Sequence, residues 1–195
     1  PFQFPWENAF YCYDDFPAVR RGGDQLIAFS NNVATTPDIG GLYTMAITGA
    51  NRQRIPNTTC RDFHAAWSND NQYLAFGTVF TACNNNFPSL FYYPYFISNL
   101  VVIKPDGTGR QQLTHYPTNA DCSQTNANCL TFAYAWTSDN SKVIAAGRIN
   151  GVKGLFAFNS NGSGAFSQIP VTPGNAPDFV GGIVQPMVEQ NVISF

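Results

Sequence analysis

The chain has 195 residues, of which 15% are aromatic and only 11% are charged, and its formal net charge is −2. This composition excludes a disordered, charge-rich tail and offers no basic surface for nucleic acid. No apolar run approaches the ~20 residues that a helix needs to cross a bilayer, so we predict neither a membrane span nor a nucleic-acid partner.

Residues 1–13, PFQFPWENAFYCY, precede the repeated part of the chain. Their aromatic side chains and two prolines favour an extended arm or an edge strand over a central strand. We therefore divide the chain into an N-terminal arm, 1–13, and one β domain, 14–195. Because the sequence begins with Pro1 rather than Met, we expect either a mature chain that has lost a secretory signal or a fragment.

A strand–turn–strand pattern occurs four times after the arm. The copies are DFPAVRRGGDQLIAF at 15–29, DFHAAWSNDNQYLAF at 62–76, TFAYAWTSDNSKVIAA at 131–146 and, more loosely, DFVGGIVQPMVEQNVISF at 178–195. A period of about fifty residues built from short strands predicts a radially repeated all-β architecture. In this alignment Arg20 takes the place of Trp67 and Trp136.

Each unit continues into a second pair of strands, except the last. The predicted strands are 16–20, 25–29, 42–47 and 52–55; then 63–67, 72–76, 100–103 and 110–113; then 132–136, 142–146, 155–158 and 165–169. The fourth unit supplies only two, near 179–184 and 188–195. The sequence therefore predicts three complete four-stranded units and an incomplete fourth.

The motifs AWSNDNQYLAF and AWTSDNSKVIAA, followed by LYTM or LVVI and then by a glycine-containing turn, resemble the WD-like repeat of TolB-type β-propellers. The resemblance covers three units and half of a fourth, and it implies a small β-propeller of about four blades. Such repeats occur in periplasmic interaction proteins, in peptidase-associated propellers and in some sugar-degrading lyases. The resemblance therefore implies a fold and leaves the activity open.

In a four-stranded blade, the loops that join strands one and two and strands three and four lie on one face of the disc. Here those loops are short, whereas the connections over 30–41, 77–99, 114–130 and 170–177 are long and lie on the opposite face. Loops on a rigid scaffold carry specificity, so we expect the face with the long connections to hold the functional site.

The most unusual long connection contains FPSLFYYPYF at 87–96, with six aromatic residues and two prolines. Such side chains can anchor a protein partner, stack on sugar rings, or fold back as a cap over the propeller core. The predicted binding or interface residues are Phe87, Phe91, Tyr92, Tyr93, Tyr95 and Phe96, together with Trp6 in the arm and Phe195 at the last position.

Five cysteines occur without a CxxC motif or a neighbouring histidine, so a zinc site is not indicated. The disulfide candidates are Cys60, Cys83, Cys122 and Cys129, and Cys12 is left over. Disulfides imply an oxidising compartment, so we expect a secreted, extracellular or periplasmic protein. Asn57-Thr-Thr and Asn161-Gly-Ser are candidate glycosylation sites if the source organism glycosylates proteins.

The incomplete fourth unit would leave a strand edge that invites association. The arm could close it within the chain or be donated to a neighbouring subunit, as in strand addition. We therefore expect a non-enzymatic propeller acting in protein–protein interaction or in self-assembly, with a filament as one form. The alternative is a glycan-binding or carbohydrate-active propeller that uses the aromatic connection.

No nucleophile elbow, HExxH, P-loop or dinucleotide motif appears, so we expect no cofactor and no metal, and we lean against an enzyme. The histidines, His64 and His115, are interpreted as structural. Asp15, Asp62 and Asp178 recur at the start of three units, where a short acidic side chain can accept backbone N–H bonds. Asp70 and Asp139 are interpreted as turn residues.

Overall fold

The computed structural model of the protein describes residues 14–22, 26–31, 40–79, 98–115, 129–149, 152–170, 187–189 and 192–194. Every regular element in these ranges is a β-strand. The strands form three four-stranded antiparallel sheets and one two-stranded sheet. The predicted all-β fold with three complete blades is therefore confirmed.

Each four-stranded sheet is one blade, in which sequential strands are neighbours. Blade one contains β1 (Asp14–Val19), β2 (Leu26–Asn31), β3 (Gly41–Ala46) and β4 (Gln53–Arg54). Blade two contains β5 (Asp62–Trp67), β6 (Leu74–Val79), β7 (Ser98–Ile103) and β8 (Gln111–Gln112). Blade three contains β9 (Cys129–Trp136), β10 (Lys142–Ile149), β11 (Val152–Asn159) and β12 (Phe166–Ile169).

The fourth unit differs from its prediction. The segment expected to form one strand over 188–195 instead contributes two strands, β13 (Met187–Glu189) and β14 (Val192–Ser194), which pair antiparallel. Because Glu189 pairs with Val192, only Gln190 and Asn191 separate the strands, and both are polar residues that do not favour a continuous strand. The strand predicted near 179–184 lies outside the described residues.

The strands β1, β5 and β9 come first in their blades and pack in series, β1 against β5 and β5 against β9. Each contains a bulge or register shift at the corresponding position, between Asp15 and Ala18 in blade one and between Phe63 and Ala66 in blade two. Blade three has its shift opposite Ala145 and Ala146. A bulge increases local twist, so three equivalent bulges give the blades a shared curvature.

The bulges correct the sequence alignment of blade one by one residue. Val19 pairs with Ile27 as Trp67 pairs with Leu74, and Ala18 pairs with Ala28 as Ala66 pairs with Ala75. Val19, and not Arg20, therefore stands where the other two blades have tryptophan. By the same register, Asp14 and not Asp15 corresponds to Asp62. The physical reason is that seven residues separate the paired Val19 and Ile27, whereas six separate the paired Trp67 and Leu74.

Two apolar clusters join the blades. Between blades one and two, Trp67, Leu74, Phe76, Val101 and Ile103 pack against Ala28, Leu42 and Ile55. Between blades two and three, a second cluster is similar, with aromatic side chains on one side and two alanines on the other: Trp136, Val143, Ala145, Phe156 and Phe158 pack against Ala66, Ala75, Leu100 and Val102. Large side chains of one blade thus fill the space above the alanines of the preceding blade.

Candidate interaction surface

The residues predicted to bind a partner lie outside the described part of the chain. This applies to Phe87, Phe91, Tyr92, Tyr93, Tyr95 and Phe96, and also to Trp6 and Phe195. Their role in binding stays a prediction.

The cysteines are described only in part. Cys60 is half-buried and disulfide-bonded, and its partner is not among the side chains that the structure describes. Cys83 and Cys122 lie outside the described residues, and Cys129 is placed only through its backbone, which pairs with Ile149. The pairing of these cysteines stays a prediction.

The turns that join the first two strands of blades two and three are built in the same way. Ser68 Oγ donates to Asp70 Oδ1 at 2.6 Å, and Asp70 Oδ1 also accepts the backbone N–H of Gln72. Thr137 Oγ1 donates to Asp139 Oδ1 at 2.6 Å, and the same oxygen accepts the backbone N–H of Ser141. The interpretation of Asp70 and Asp139 as turn residues is confirmed.

Hydrogen bonds keep the turn carboxylates ionised. The Thr137 hydroxyl, then the N–H and hydroxyl of Ser141, lower the pKa of Asp139 from 3.8 to about 2. In the β7–β8 turn, the side chain and the backbone of Thr108 lower the pKa of Asp106. These carboxylates are exposed and committed to their own turns, so they are poorly suited to proton transfer at neutral pH.

Asparagine side chains connect these turns between blades. Asn71 Nδ2 donates to the carbonyl of Arg21 in blade one. Asn69 Nδ2 donates to the carbonyl of Thr137 at 2.7 Å, and its backbone N–H donates to Asn140 Oδ1 at 2.8 Å. Asn71 and Asn140 have φ of 60° and 57°, a left-handed conformation that asparagine tolerates better than most residues. The repeated Asn in SNDN and TSDN was the sequence signal for this network.

Tryptophan adds a second link between blades. Trp67 Nε1 donates to the carbonyl of Ala18 at 3.1 Å, and Trp136 Nε1 donates to the carbonyl of Ala66, also at 3.1 Å. Each indole therefore joins its own blade to the first strand of the preceding blade. Arg20, expected at the tryptophan position, instead places its guanidinium 5.5 Å from the centre of the Trp67 ring.

An ion pair between a buried aspartate and a partly exposed arginine fixes the connection between blades one and two. Asp62 is fully buried, and its two carboxylate oxygens accept from Arg110 Nη1 and Nη2 at 3.0 Å each. The carboxylate also accepts the backbone N–H of Thr59 at 2.8 Å, as predicted for an aspartate at a unit start. Arg110 further donates to the carbonyl of Asn57. These contacts are structural, because Asp62 has no exposed surface with which to meet a substrate.

His64 lies at the bulge of β5 with φ of 55°, and its side chain is buried. Burial lowers the pKa of His64 from 6.5 to about 3, so the imidazole is neutral at physiological pH. Its ring packs edge-on against Phe63 with the ring centres 5.0 Å apart. His115 is exposed, and no group of three metal-ligating side chains occurs within the described ranges.

Within the described residues, one apolar surface is more exposed than its counterparts in the other blades. We name it the blade-one end face; it comprises Val19, Tyr43 and Met45, extended by Ile47 in the β3–β4 turn. Strand alternation places the three strand residues on the side of blade one opposite Ala18, Ala28 and Leu42, which face blade two.

The register gives each end-face residue a counterpart in blade two. Trp67, Val101 and Ile103, which correspond to Val19, Tyr43 and Met45, are only 9%, 1% and 0% exposed. By contrast, Val19 is 56% exposed and Ile47 52% exposed, while Tyr43 and Met45 are half-buried. The surface that blade two buries against its neighbour is thus open to solvent in blade one.

The end face also carries positive charge beside its aromatic ring. The guanidinium of Arg52 lies 4.8 Å from the centre of the Tyr43 ring. This stacking covers one side of Tyr43 with a planar cation that remains exposed to solvent. A partner surface would therefore meet an apolar patch with a basic margin.

The two candidate glycosylation sites differ in their surroundings. Asn57 has a left-handed φ of 59°, and its Nδ2 donates to the carbonyl of Gly107 at 2.8 Å. Asn161 lies in the exposed β11–β12 turn, where its Oδ1 accepts the backbone N–H of Ser163 at 3.1 Å. Neither observation tests occupancy, so glycosylation stays a prediction.

Comparisons with known proteins identify the fold. A scan against models of protein families finds no match, and neither does a search of curated proteins. Among solved structures, TolB from Acinetobacter baumannii matches with a TM-score of 0.54 and 13% identity, over 83% of this chain and 33% of that chain. A TolB candidate from Agrobacterium tumefaciens matches with a TM-score of 0.52 and 12% identity, over 79% of this chain and 50% of that chain.

A third match is the β-propeller domain of the trilobed protease from Pyrococcus furiosus, with a TM-score of 0.48 and 13% identity, over 82% of this chain and 43% of that chain. The chain spans no more than half the length of these three structures. The described residues include no helix that is long and apolar enough to cross a membrane. The blades, their strand order and the two TolB matches together show that the chain has a TolB-like β-propeller fold.

Proposed function

We propose that the chain is a secreted, non-enzymatic β-propeller that acts through protein–protein contacts, with copies of itself as the principal partner. The observation that carries this proposal is the exposure of the blade-one end face, above all of Val19. An apolar blade face that is open to solvent is a surface suited to association.

The internal repeat supports a second copy as the occupant. In both inter-blade contacts within the chain, large side chains pack against the alanine-bearing side of another blade. The end face presents Val19, Tyr43 and Met45 at the positions of those large side chains, so its natural complement is a blade of the same repeat. A contact between two different faces is heterologous, and it produces a filament when the rotation between copies does not close a ring.

The arm, 1–13, and the incomplete fourth unit belong to the same proposal, as segments that complete blades between subunits. The disulfide at Cys60 supports an oxidising, secreted location. A thiol titration of the denatured, unreduced chain tests this part: we expect at most three reactive thiols among the five cysteines, and five would overturn it.

Sedimentation velocity of the intact chain over a range of concentrations tests the association. We expect larger species at higher concentration, and Val19→Asp should raise the dissociation constant by at least about tenfold, since burying roughly half a valine side chain is worth about 1.4 kcal/mol. Ser167→Asp is the matched control, because it places the same charge at an exposed strand position in blade three.

Circular dichroism should show that both variants keep the β fold. Deleting residues 1–13 should weaken association as well. A chain that stays monomeric at every concentration, with or without the arm, would overturn the proposal.

A further inference from the structure

The β11–β12 turn holds Asn161, whose side chain differs from those of Asn57, Asn69 and Asn71. The carboxamides of Asn57, Asn69 and Asn71 each donate a hydrogen bond from Nδ2 to a backbone carbonyl elsewhere in the chain. Asn161 is exposed, and its Nδ2 donates to none of the residues that the structure describes. Its amide nitrogen is therefore unrestrained by the protein.

The residue after Asn161 removes the usual obstacle to attack on that carboxamide. Gly162 has φ of +72° and no side chain of its own next to its backbone nitrogen, while the Gln111 side chain of blade two packs against its Cα. The corresponding glycines of blades one and two, Gly49 and Gly107, donate their N–H to the carbonyls of Ala46 and Lys104. Among the described residues, no equivalent acceptor is paired with the N–H of Gly162.

A hydrogen bond brings the two reacting groups into one small ring. Ser163 N–H donates to Asn161 Oδ1 at 3.1 Å, and the ring that this bond closes includes both Asn161 Cγ and Gly162 N. The bond draws electron density from the carbonyl and so makes Cγ more electrophilic. The bond also restricts rotation of the Asn161 side chain beside Gly162 N.

We propose that Asn161 is a site of spontaneous deamidation in the folded protein. Gly162 N bonds to Asn161 Cγ, the Cγ–Nδ2 bond breaks, and Nδ2 leaves as ammonia with the proton from Gly162 N, giving a succinimide. Water then opens the ring at either carbonyl, which yields aspartate or isoaspartate at position 161. No oxidant, reductant or enzyme takes part.

The modification acts on a contact between blades. Gln111 Nε2 of blade two donates to the carbonyl of Asn161 at 3.1 Å. In an isoaspartate the backbone runs through Cβ and Cγ and is one methylene longer, and the former carbonyl of residue 161 becomes a free carboxylate. The acceptor of Gln111 Nε2 thus changes from a backbone carbonyl to a carboxylate at the rim of blade three. A glycan on Asn161 would occupy Nδ2, and the two modifications therefore exclude each other.

The test uses the full folded chain, produced without glycosylation and incubated at mildly alkaline pH. Peptide mapping should show a mass gain of about one dalton in the peptide containing Asn161, with isoaspartate detected by an isoaspartyl methyltransferase. The peptides containing Asn57 and Asn140 are internal controls that should stay unchanged. Asn161→Gln should abolish the change at this site, because its longer side chain forms the cyclic imide much more slowly.

A parallel incubation in urea separates the effect of the fold from that of the Asn-Gly sequence. If the turn promotes the reaction, Asn161 should deamidate in the folded chain at least as fast as in the denatured chain. Slower reaction in the folded chain, or no reaction at Asn161, would overturn the proposal. The readout does not depend on association, so this result and that for the proposed function are independent.

Discussion

Replacing Trp136 by phenylalanine removes the indole N–H that joins blade three to blade two while keeping an aromatic ring in the cluster. The bond from Trp136 Nε1 to the carbonyl of Ala66 is buried, whereas the equivalent bond from Trp67 to Ala18 is only partly buried. Water can replace the lost donor at Ala18 but not at Ala66. The same chemical change should therefore have a larger effect at position 136.

The expected loss of stability depends on whether water can reach the carbonyl that loses its donor. A buried carbonyl that loses its donor costs about 1–3 kcal/mol, and an accessible one about 0.5–1.5 kcal/mol. The smaller ring adds about 1 kcal/mol at either site through lost apolar contact. We expect Trp136→Phe to lower the free energy of unfolding by about 3 kcal/mol and Trp67→Phe by about 2 kcal/mol.

Urea unfolding followed by far-ultraviolet circular dichroism measures both values without relying on the fluorescence that the substitutions remove. Thr137→Ser, next to the same strand end, is a control that keeps the turn hydroxyl and should change stability little. If Trp136→Phe were no more destabilising than Trp67→Phe, the buried hydrogen bond would not be the stabilising feature, and the reasoning would be wrong.

Three further predictions concern single contacts. Arg110→Met should destabilise the fold by about 3 kcal/mol in urea unfolding, because it leaves the Asp62 carboxylate buried without its cation. Adding Asp62→Asn to this variant should recover part of the lost stability. If no stability were recovered, the charge of Asp62 would not be the cause of the loss. Gly107→Ala should destabilise the fold more than Gly49→Ala. Both glycines have φ near +84°, but a Cβ at Gly107 would lie 2.6 Å from Pro56, whereas one at Gly49 meets nothing within 4 Å. Equal decreases in melting temperature would contradict this. The pKa of Asp139 is lowered from 3.8 to about 2, so the stabilisation from its ionised form should be complete above about pH 4 and lost as the pH falls through about 2. An NMR titration of the Asp139 carboxyl with a midpoint near 3.8 would contradict this.

The repeat pattern predicted the blades because it is local. Runs such as LIAF and QYLAF, bounded by polar turns, specify strands through alternation and turn chemistry. The observed β2 (Leu26–Asn31), β5 (Asp62–Trp67) and β6 (Leu74–Val79) lie within a few residues of the predicted strands. The Asn69–Asn140 bond could not be predicted in the same way, because it depends on how two blades sit side by side.

The alignment of blade one could not be settled by residue identity. Two consecutive aspartates, Asp14 and Asp15, offer two equally good starting points for the unit, and the choice changes which residue corresponds to tryptophan. Hydrogen-bond register decides between them, since a slip of one residue moves every side chain to the other side of the sheet. The pairings of Ala18 with Ala28 and of Val19 with Ile27 supply that information.

This one-residue correction changes the chemistry of the candidate surface. With Arg20 at the tryptophan position, the end of blade one would present a cation and resist contact with another apolar blade face. With Val19 there, and Arg20 stacked on Trp67 instead, the same position is apolar and exposed. In the described chain, the corresponding faces of blades two and three, which carry Trp67 and Trp136, are each buried against the preceding blade. The repeat therefore indicates both why the end face is apolar and what kind of surface would fit it. The proposed association through the blade-one end face would continue, between chains, the packing that already joins the blades within one chain.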